Sequence, residues 1–164
     1  MKRSLMVFFV SLAFLFCAAS GAYAAPAPEI VTAGEPDKIL AIAKKLGKAE
    51  LTADKEGDPR IKGTIKGIPY SIYFYDCKEN KDCKDISFST YWTDQKVSPE
   101  VVNKWSVERG RYAKAHVDEE NDPWLRMRLN LDKGVTVDNL RMKFLWWIIL
   151  VQGFEKEVLN MENK

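Results

Sequence analysis

The pattern of apolar and polar positions predicts a chain that alternates short helices with groups of strands. Apolar residues at helical spacing, with a proline at the start and a glycine after the end, predict a first helix over 37–46. Segments rich in β-branched and aromatic residues predict strands at 60–66, 70–76 and 86–92. The last two are expected to pair, and the stretch 49–53 allows one further short strand.

The second half of the chain predicts a helix, a hairpin and a long helix. The Ser-Pro-Glu sequence at 98–100 combines a capping residue, a preset backbone angle and a negative charge, which favours a helix start. Strict alternation over 111–118 and 124–131 predicts two paired strands with one buried face. Thr136 then predicts the N-terminal cap of a helix that runs to about Met161.

The order of these elements, α-β-β-β-α-β-β-α, predicts an α+β domain. Its strands form an antiparallel sheet, and its helices pack on one face of that sheet. A length of 164 residues and an apolar content of 46% fit a single globular domain. The sequence contains no internal repeat and no low-complexity segment.

The first residues predict a secretory signal peptide over 1–24. A cationic start precedes about a dozen apolar residues and a small-residue cleavage site that ends at Ala24. The apolar stretch is shorter than the roughly 20 residues that a membrane span needs, so no stable anchor is expected after cleavage. We therefore expect a periplasmic or secreted protein, with an extended leader over 25–35 and a single domain over 36–164.

The balance of charge argues against wholesale nucleic-acid binding. The chain carries 25 Lys and Arg residues against 23 Asp and Glu residues, and removal of Lys2 and Arg3 leaves 23 of each. A neutral mature protein lacks the basic excess that phosphate backbones attract. No glycine-rich phosphate loop or nucleotide fingerprint follows a predicted strand, so the sequence predicts neither a nucleic-acid partner nor a cofactor.

Two cysteines carry the clearest chemistry. Cys77 and Cys83 flank five residues at the tip of the predicted hairpin, and an oxidising compartment favours a disulfide between them. A thiol-redox pair is a weaker interpretation because the spacing differs from Cys-x-x-Cys. Zinc is weaker still, since a structural site needs four ligands and the mature chain offers two cysteines and one histidine. No metal site is predicted.

His116 is the one histidine, and it lies on the polar side of a predicted strand. A catalytic role would require a nucleophile, a base and an orienting group to converge. The chain has no Gly-x-Ser-x-Gly elbow and no paired-carboxylate motif. The sequence therefore predicts no catalytic residue and a non-catalytic domain, with a small secreted hydrolase or thiol-redox enzyme as the alternative.

The second predicted hairpin places basic and aromatic side chains on one solvent-facing side. Arginine can bind carboxylates through two hydrogen bonds, and aromatic rings add contact area at little cost in side-chain entropy. This surface suits an anionic or extended protein or peptide partner, although an ordinary solvated sheet face would show the same pattern. The residues of this basic-aromatic strip are Tyr112, Lys114, His116, Trp124, Arg126 and Arg128.

The C-terminal helix is apolar over eight consecutive residues, 144–151. A helix that is apolar all round needs cover on more than one side. Burial between the sheet and another element, a homodimer contact and a groove for a partner are all compatible with this pattern. Trp146 and Trp147 mark the candidate dimer or groove positions.

The order and spacing of several short elements resemble the YbjN-like family of bacterial sensory-transduction regulators, in its exported, cysteine-bearing branch. The likeness covers most of 36–158. It implies a fold similar to type III secretion chaperones, which are often dimeric, and no known catalytic residue, cofactor or substrate. Ser106 stands where we would expect Asn in that family. The elements are Asp58–Gly67, Tyr73–Cys77, Cys83, Trp105, Asp122-Pro123, Asp138-Asn139 and Trp146-Trp147.

Overall fold

The computed structural model describes residues 27–160, so the predicted signal peptide, 1–24, lies outside the described residues. Three helices and eight strands occupy the described range. In chain order they are β1 (Ile30–Val31), α1 (Pro36–Leu46), β2 (Lys48–Ala53), β3 (Pro59–Ile65), β4 (Ile68–Tyr75), β5 (Asp85–Tyr91), α2 (Pro99–Glu108), β6 (Lys114–Val117), β7 (Pro123–Asn130), β8 (Val135–Thr136) and α3 (Val137–Glu157).

Six strands form one sheet in the order β2-β3-β4-β5-β7-β6, and each neighbouring pair is antiparallel. The predicted α+β class with an antiparallel sheet is therefore confirmed. Four strands, rather than three, lie between α1 and α2, because the possible strand at 49–53 forms as β2. The two-residue strands β1 and β8 pair with each other as a separate small ladder.

Turn chemistry explains why β3 and β4 pair as they do. Ile65 lies opposite Ile68, so the loop contains only two residues, and both have positive φ angles. Such a turn matches the twist of the flanking strands, and Gly67 adopts its left-handed backbone without steric cost. The short loop fixes the register that places alternate residues of β4 on opposite faces.

The predicted helix starts are present. Ser98 Oγ accepts a hydrogen bond from the Val101 backbone N–H at 3.4 Å, and Thr136 Oγ1 accepts one from the Asn139 N–H at 3.1 Å. These side chains satisfy donors that the first turn of a helix leaves free. Helix α3 ends at Glu157, earlier than predicted.

The helices cover one face of the sheet. The ring of Phe88 on β5 meets Phe144 edge-on at 4.7 Å and lies 5.7 Å from Trp147, which docks α3 on that face. Trp105 of α2 packs edge-on against Phe154 of α3 at 5.0 Å, and α1 contacts both β2 and α3. The core therefore lies between the helices and the sheet, which leaves the other face of the sheet without a helix.

The predicted leader, 25–35, joins the fold earlier than its sequence suggested. Ile30 and Val31 pair with Thr136 and Val135 of β8, and Val31 is fully buried in the core. A two-residue strand is too short to produce a recognisable alternation, so sequence patterning missed it.

Candidate functional site

The outer face is the face of the six-stranded sheet opposite the helices. Its side chains come from the polar and aromatic positions that alternate with core positions along each strand. On β4, for example, Ser71, Tyr73 and Tyr75 alternate with the buried Tyr70, Ile72 and Phe74. The candidate site is built on this outer face.

The structure brings four residues of the basic-aromatic strip together on the outer face. Lys114 on β6 lies directly opposite Arg126 on β7, and His116 lies opposite Trp124. Lys114 and Arg126 are exposed, whereas His116 and Trp124 are partly buried. The register that the apolar alternation predicted for this hairpin is the one observed.

Arg128 departs from the predicted strip because its charge is already paired. Its guanidinium bonds Asp85 Oδ2, with Nε at 2.8 Å and Nη2 at 2.6 Å, and Nη2 lies 3.2 Å from Asp76 Oδ2. Asn130 Nδ2 donates to the other oxygen of Asp85 at 2.6 Å. Arg128 therefore holds a nearly buried carboxylate within the fold, instead of presenting a free cation to a partner.

Tyr112 also departs from the predicted strip. It precedes β6 in a turn, and its ring lies 5.4 Å from Trp146 and beneath Lys143 Nζ at 5.3 Å. Both of these neighbours belong to α3, so Tyr112 lies on the helix side of the molecule. Alternation predicts a face only where the backbone is extended, and the strand begins three residues later than predicted.

An aromatic stack crosses three strands at one end of the outer face. The ring of Trp124 lies between Tyr91 at 4.5 Å and His116 at 6.1 Å, with nearly parallel planes. Arg126 covers Trp124 at 5.0 Å, and Trp124 Nε1 donates to Asp118 Oδ2 at 3.2 Å. Cross-strand neighbours make this stack, because His116, Trp124 and Tyr91 occupy paired positions on β6, β7 and β5.

The surroundings of His116 keep its ring neutral. Burial, together with the nearby cations Arg126 and Lys114, lowers the pKa of His116 below its ordinary value. The hydrogen bond from Trp124 is the main cause that lowers the pKa of Asp118. Asp118 thus stays ionised while His116 serves as an uncharged aromatic surface at neutral pH.

A cavity of about 640 Å³ lies on the outer face between β2 and the aromatic stack. Its volume is in the range that holds a small molecule or a few residues of a peptide. Of the six strip residues, only Trp124 lines it. Its principal walls are Lys48, Arg60, Lys62, Tyr73, Tyr91 and Trp124.

Two serines form the floor of this cavity. Ser71 on β4 lies directly opposite Ser89 on β5, and Ser89 is 4% exposed. The same row continues to Lys62 on β3 and to Arg126 on β7. We call Ser71 and Ser89 the serine floor. The serine floor thus lies between the long cationic side chains of Lys62 and Arg126. This arrangement leaves a shallow trough that crosses the strands.

Arg60 shapes one side of the trough. Its guanidinium lies 4.6 Å above the ring of Tyr73, and its Nη2 donates to Ser71 Oγ at 2.8 Å. Its Nε is buried and has no hydrogen-bond partner in the described part of the chain. A buried donor without an acceptor is costly, and the hydrogen bond from Nη2 to Ser71 offsets part of that cost.

The other cations of the trough are free. Within residues 27–160, Lys48 and Lys62, which line the cavity, form no salt bridge, and neither does Arg126, which lies beside the cavity over Trp124. Glu50, opposite Lys62 on β2, is the one acidic residue that lines the cavity. The cavity therefore carries a local positive charge, although the mature protein as a whole is predicted to be neutral.

The sequence contained a signal for the missed part of the site. Ser71, Tyr73 and Tyr75 occupy alternate positions of one predicted strand, and Ser87, Ser89 and Tyr91 occupy alternate positions of the next. Extending the alternation argument from the second hairpin to these two strands would have indicated a polar and aromatic face there too. The order of strands, which places β5 beside β7, could not be predicted from alternation alone.

The two tryptophans of α3 occupy different environments. Trp147 is 1% exposed and packs in the core, so it is not available for a dimer or groove. Trp146 is 39% exposed and lies beside Tyr112. The apolar run is thus covered on one side and exposed on the other.

The predicted disulfide between Cys77 and Cys83 is present. It closes the loop between β4 and β5, and Asn80 in that loop donates to Glu56 O and Asp58 Oδ1. The bond lies outside the walls of the cavity. Among residues 27–160, no three His, Cys, Asp or Glu side chains cluster as metal ligands.

The family is established by a family model. The YbjN model, described as "Putative bacterial sensory transduction regulator", matches residues 35–160. The chain therefore belongs to the YbjN family, as its sequence elements indicated. A search of curated proteins found no match.

One solved structure with a similar fold is the Yersinia pestis type III secretion chaperone SycH, determined in complex with a stable fragment of YscM2. The similarity has a TM-score of 0.45 and 14% sequence identity, and it covers 71% of this chain and 97% of that chain. No helix within the described residues is long and apolar enough to cross a membrane.

Proposed function

We propose that this protein is an exported, non-catalytic binding module that holds a protein or peptide segment on its outer face. The observation that carries the proposal is the cavity of about 640 Å³, which is lined by basic and aromatic side chains and lies on a sheet face without a helix. Membership of the YbjN family supports a regulatory or accessory role. Export rests on the signal peptide that the sequence predicts.

The side chains of the outer face suit recognition by contact. Tyr91 and Trp124 stack on each other, so their rings are held in place before a partner arrives. Held aromatic rings lose little entropy on binding, and this favours affinity. Arg126 covers Trp124 and forms no salt bridge within residues 27–160, so it remains available to a carboxylate.

The sequence also allowed a small secreted hydrolase or thiol-redox enzyme. The contacts of His116 and of the two cysteines do not favour this alternative. His116 stacks on Trp124, and burial together with the cations beside it lowers its pKa. Its nearest sequence neighbour with a carboxylate, Asp118, accepts a hydrogen bond from Trp124. Cys77 and Cys83 are joined to each other. We therefore place binding, and not catalysis, at the outer face.

We further propose that two copies pair through α3. Its exposed side carries Met142, Leu145, Trp146 and Ile149, at the spacing of one helical stripe. We call these four residues the α3 stripe. In an antiparallel pair, the two helix dipoles are opposed favourably. A second copy laid along the α3 stripe would cover all four apolar side chains at once.

The binding proposal is tested by capture from periplasmic extract. The chain is expressed with its own N-terminus and purified from the periplasm, where mass spectrometry also reports the cleavage site. The double variant Lys62→Glu, Arg126→Glu reverses the two cations that flank the serine floor. We expect it to lose at least about 90% of the partner that the wild-type protein captures, a change of roughly tenfold.

The matched control is Lys44→Glu, Lys45→Glu, which makes the same change of charge in the last turn of α1. The control should capture as much partner as the wild type, and both variants should keep the wild-type melting temperature to within about 3 °C. If both double variants lost the partner equally, the loss would be caused by the change in net charge, and this would contradict a site on the outer face.

A further inference from the structure

We propose that the outer-face trough binds an extended acidic peptide segment that crosses the strands and carries two carboxylates four residues apart. This inference rests on the proposed binding function and specifies its ligand. It follows from the row of paired residues that contains the serine floor. From β3 to β6 that row reads Lys62, Ser71, Ser89, Arg126 and Lys114.

The small side chains define where the backbone of the ligand lies. Ser71 and Ser89 are flanked on one side by Tyr91 and Trp124 and on the other by Arg60 and Tyr73. Along the strands, Tyr73 neighbours Ser71 and Tyr91 neighbours Ser89, whereas the smaller Pro69 and Ser87 stand at the opposite flanks. The large side chains therefore border the serine floor at two diagonal corners and leave a trough that an extended chain can occupy. Because the trough follows the row, its axis runs across the strands and not along them.

The spacing of the cations sets the spacing of the acids. Lys62 and Arg126 are separated by three strand-to-strand steps, and at about 4.8 Å a step this is roughly 14 Å. An extended peptide advances about 3.4 Å a residue, so residues i and i+4 are also about 14 Å apart. An even separation places both side chains on the side of the peptide that faces the sheet. Their carboxylates then meet Lys62 and Arg126 together.

The charges favour an acidic ligand over a neutral one. Lys62 and Arg126 form no salt bridge within residues 27–160, and Lys114 adds a third cation beyond Arg126. Arg60, above the ring of Tyr73, adds a further positive charge to the wall of the cavity. Carboxylates on the ligand therefore match what the trough offers.

The test measures the binding of dye-labelled twelve-residue peptides to the purified protein by fluorescence anisotropy. Four peptides share an Ala/Ser/Gln background and differ in one pair of residues: two Glu at i and i+4, two Glu at i and i+3, two Gln at i and i+4, and two Lys at i and i+4. We expect the first to bind at least about fivefold more tightly than the second, and at least about tenfold more tightly than the Gln and Lys peptides. Its advantage should fall to less than about twofold in the Lys62→Glu, Arg126→Glu variant and should weaken as salt rises.

The remaining outcomes separate the inference from the proposed function. If all four peptides bind equally and the double variant weakens them equally, the outer face binds peptides but the spacing rule is overturned. If none binds while capture from extract still depends on Lys62 and Arg126, the acidic segment is overturned and the proposed function stands. Tighter binding of a labelled single-stranded oligonucleotide than of the first peptide would also overturn the inference.

Discussion

At the scale of single residues, the environment of His116 on the outer face favours the neutral form of its imidazole ring. It stacks on Trp124 while Arg126 and Lys114 lie nearby. Burial and these cations lower its pKa, so the folded protein disfavours the imidazolium ion. The imidazole thus extends the stack of Tyr91 and Trp124 at neutral pH without adding charge.

We predict that His116 titrates below the ordinary value of about 6.5. Because it is the only histidine in the chain, its Cε1–H signal in a proton NMR titration needs no assignment. Arg126→Gln should raise the pKa towards the ordinary value without reaching it, since burial is the larger cause. A midpoint at or above 6.5 in the wild type would contradict the stacked placement.

The same shift determines how stability depends on pH. A histidine whose pKa is lowered by folding stabilises the protein fully above about pH 6.5, and this contribution is lost as pH falls through the lower folded value. Melting curves from pH 7.5 to 5 should therefore show a larger decrease for the wild type than for His116→Gln. The two proteins would decrease in parallel if His116 were freely solvated.

Alternation in the sequence predicts on which face a side chain of an extended strand lies. It does not predict contacts between residues that are distant in sequence. Alternation placed Lys114, His116, Trp124 and Arg126 on one face, as found. It could not reveal that Asp85, distant in sequence, would neutralise Arg128. A salt bridge between neighbouring strands depends on the order of strands, which local patterns do not contain.

At the scale of elements, the apolar run 144–151 of α3 has one side that is buried against the sheet and one side that is exposed. The neighbours Trp146 and Trp147 point to these two sides, since one is 39% and the other 1% exposed. Consecutive residues of a helix are about 100° apart, so an apolar run longer than one turn necessarily reaches both. The sequence predicted the helix and its cap, but the composition of the run did not show which residues would be covered.

Replacing each tryptophan by alanine should give very different results. Trp147→Ala should lower the free energy of unfolding by ~3–5 kcal/mol, because it removes a buried ring packed against Phe88. Trp146→Ala should lower it by about 1 kcal/mol or less at protein concentrations where the chain is monomeric. Urea denaturation measures both values, and similar losses would contradict the orientation of α3.

The hairpin of β4 and β5 is closed by the bond between Cys77 and Cys83, with a sequence separation of 6. In the chain-entropy model a loop of this size stabilises the fold by ~2–3 kcal/mol. We expect the variant Cys77→Ala, Cys83→Ala to lose about that much on urea denaturation while it keeps its affinity for the acidic peptide, since the bond does not line the cavity. Thiol titration of the denatured, unreduced mature protein should find no free thiol; two thiols would contradict the bond.

At the scale of the whole molecule, two surfaces remain after the core is accounted for: the outer face and the α3 stripe. They lie on opposite sides of the sheet, because α3 packs on the face that the cavity does not use. Pairing through α3 would therefore leave both troughs open. A dimer would present two sites to one extended partner and would raise the effective affinity by avidity.

We predict that Ile149→Glu yields a folded monomer. Ile149 is 57% exposed at the C-terminal end of the α3 stripe, so a charge there is tolerated in the monomer and disfavoured in an apolar contact. Val107→Glu, on α2 and 87% exposed, is the control and should leave the mass unchanged. Sedimentation equilibrium measures the mass, and a wild-type protein that is monomeric at 100 µM (about 2 mg/ml) would contradict pairing at a physiologically useful affinity.

The fold class was accessible from sequence because helix caps, turns and alternation agree with one another. The site was only partly accessible, because the cavity lies between β2 and the aromatic stack and is assembled from five strands. Trp124 is the one residue of the predicted basic-aromatic strip that also lines the cavity. The remaining walls come from β2, β3, β4 and β5, whose outward residues look like ordinary solvated positions in sequence.

Site-specific photo-crosslinking in intact cells tests the central claim most directly. A photoreactive phenylalanine derivative replaces either Tyr91, which lines the cavity, or Tyr112, which lies on the helix side; the two are 51% and 53% exposed. We predict a crosslinked partner protein from position 91 that Lys62→Glu, Arg126→Glu abolishes, whereas position 112, beside Trp146, should crosslink only to a second copy of the chain. The same product from both positions, or from 112 alone, would contradict binding at the outer face.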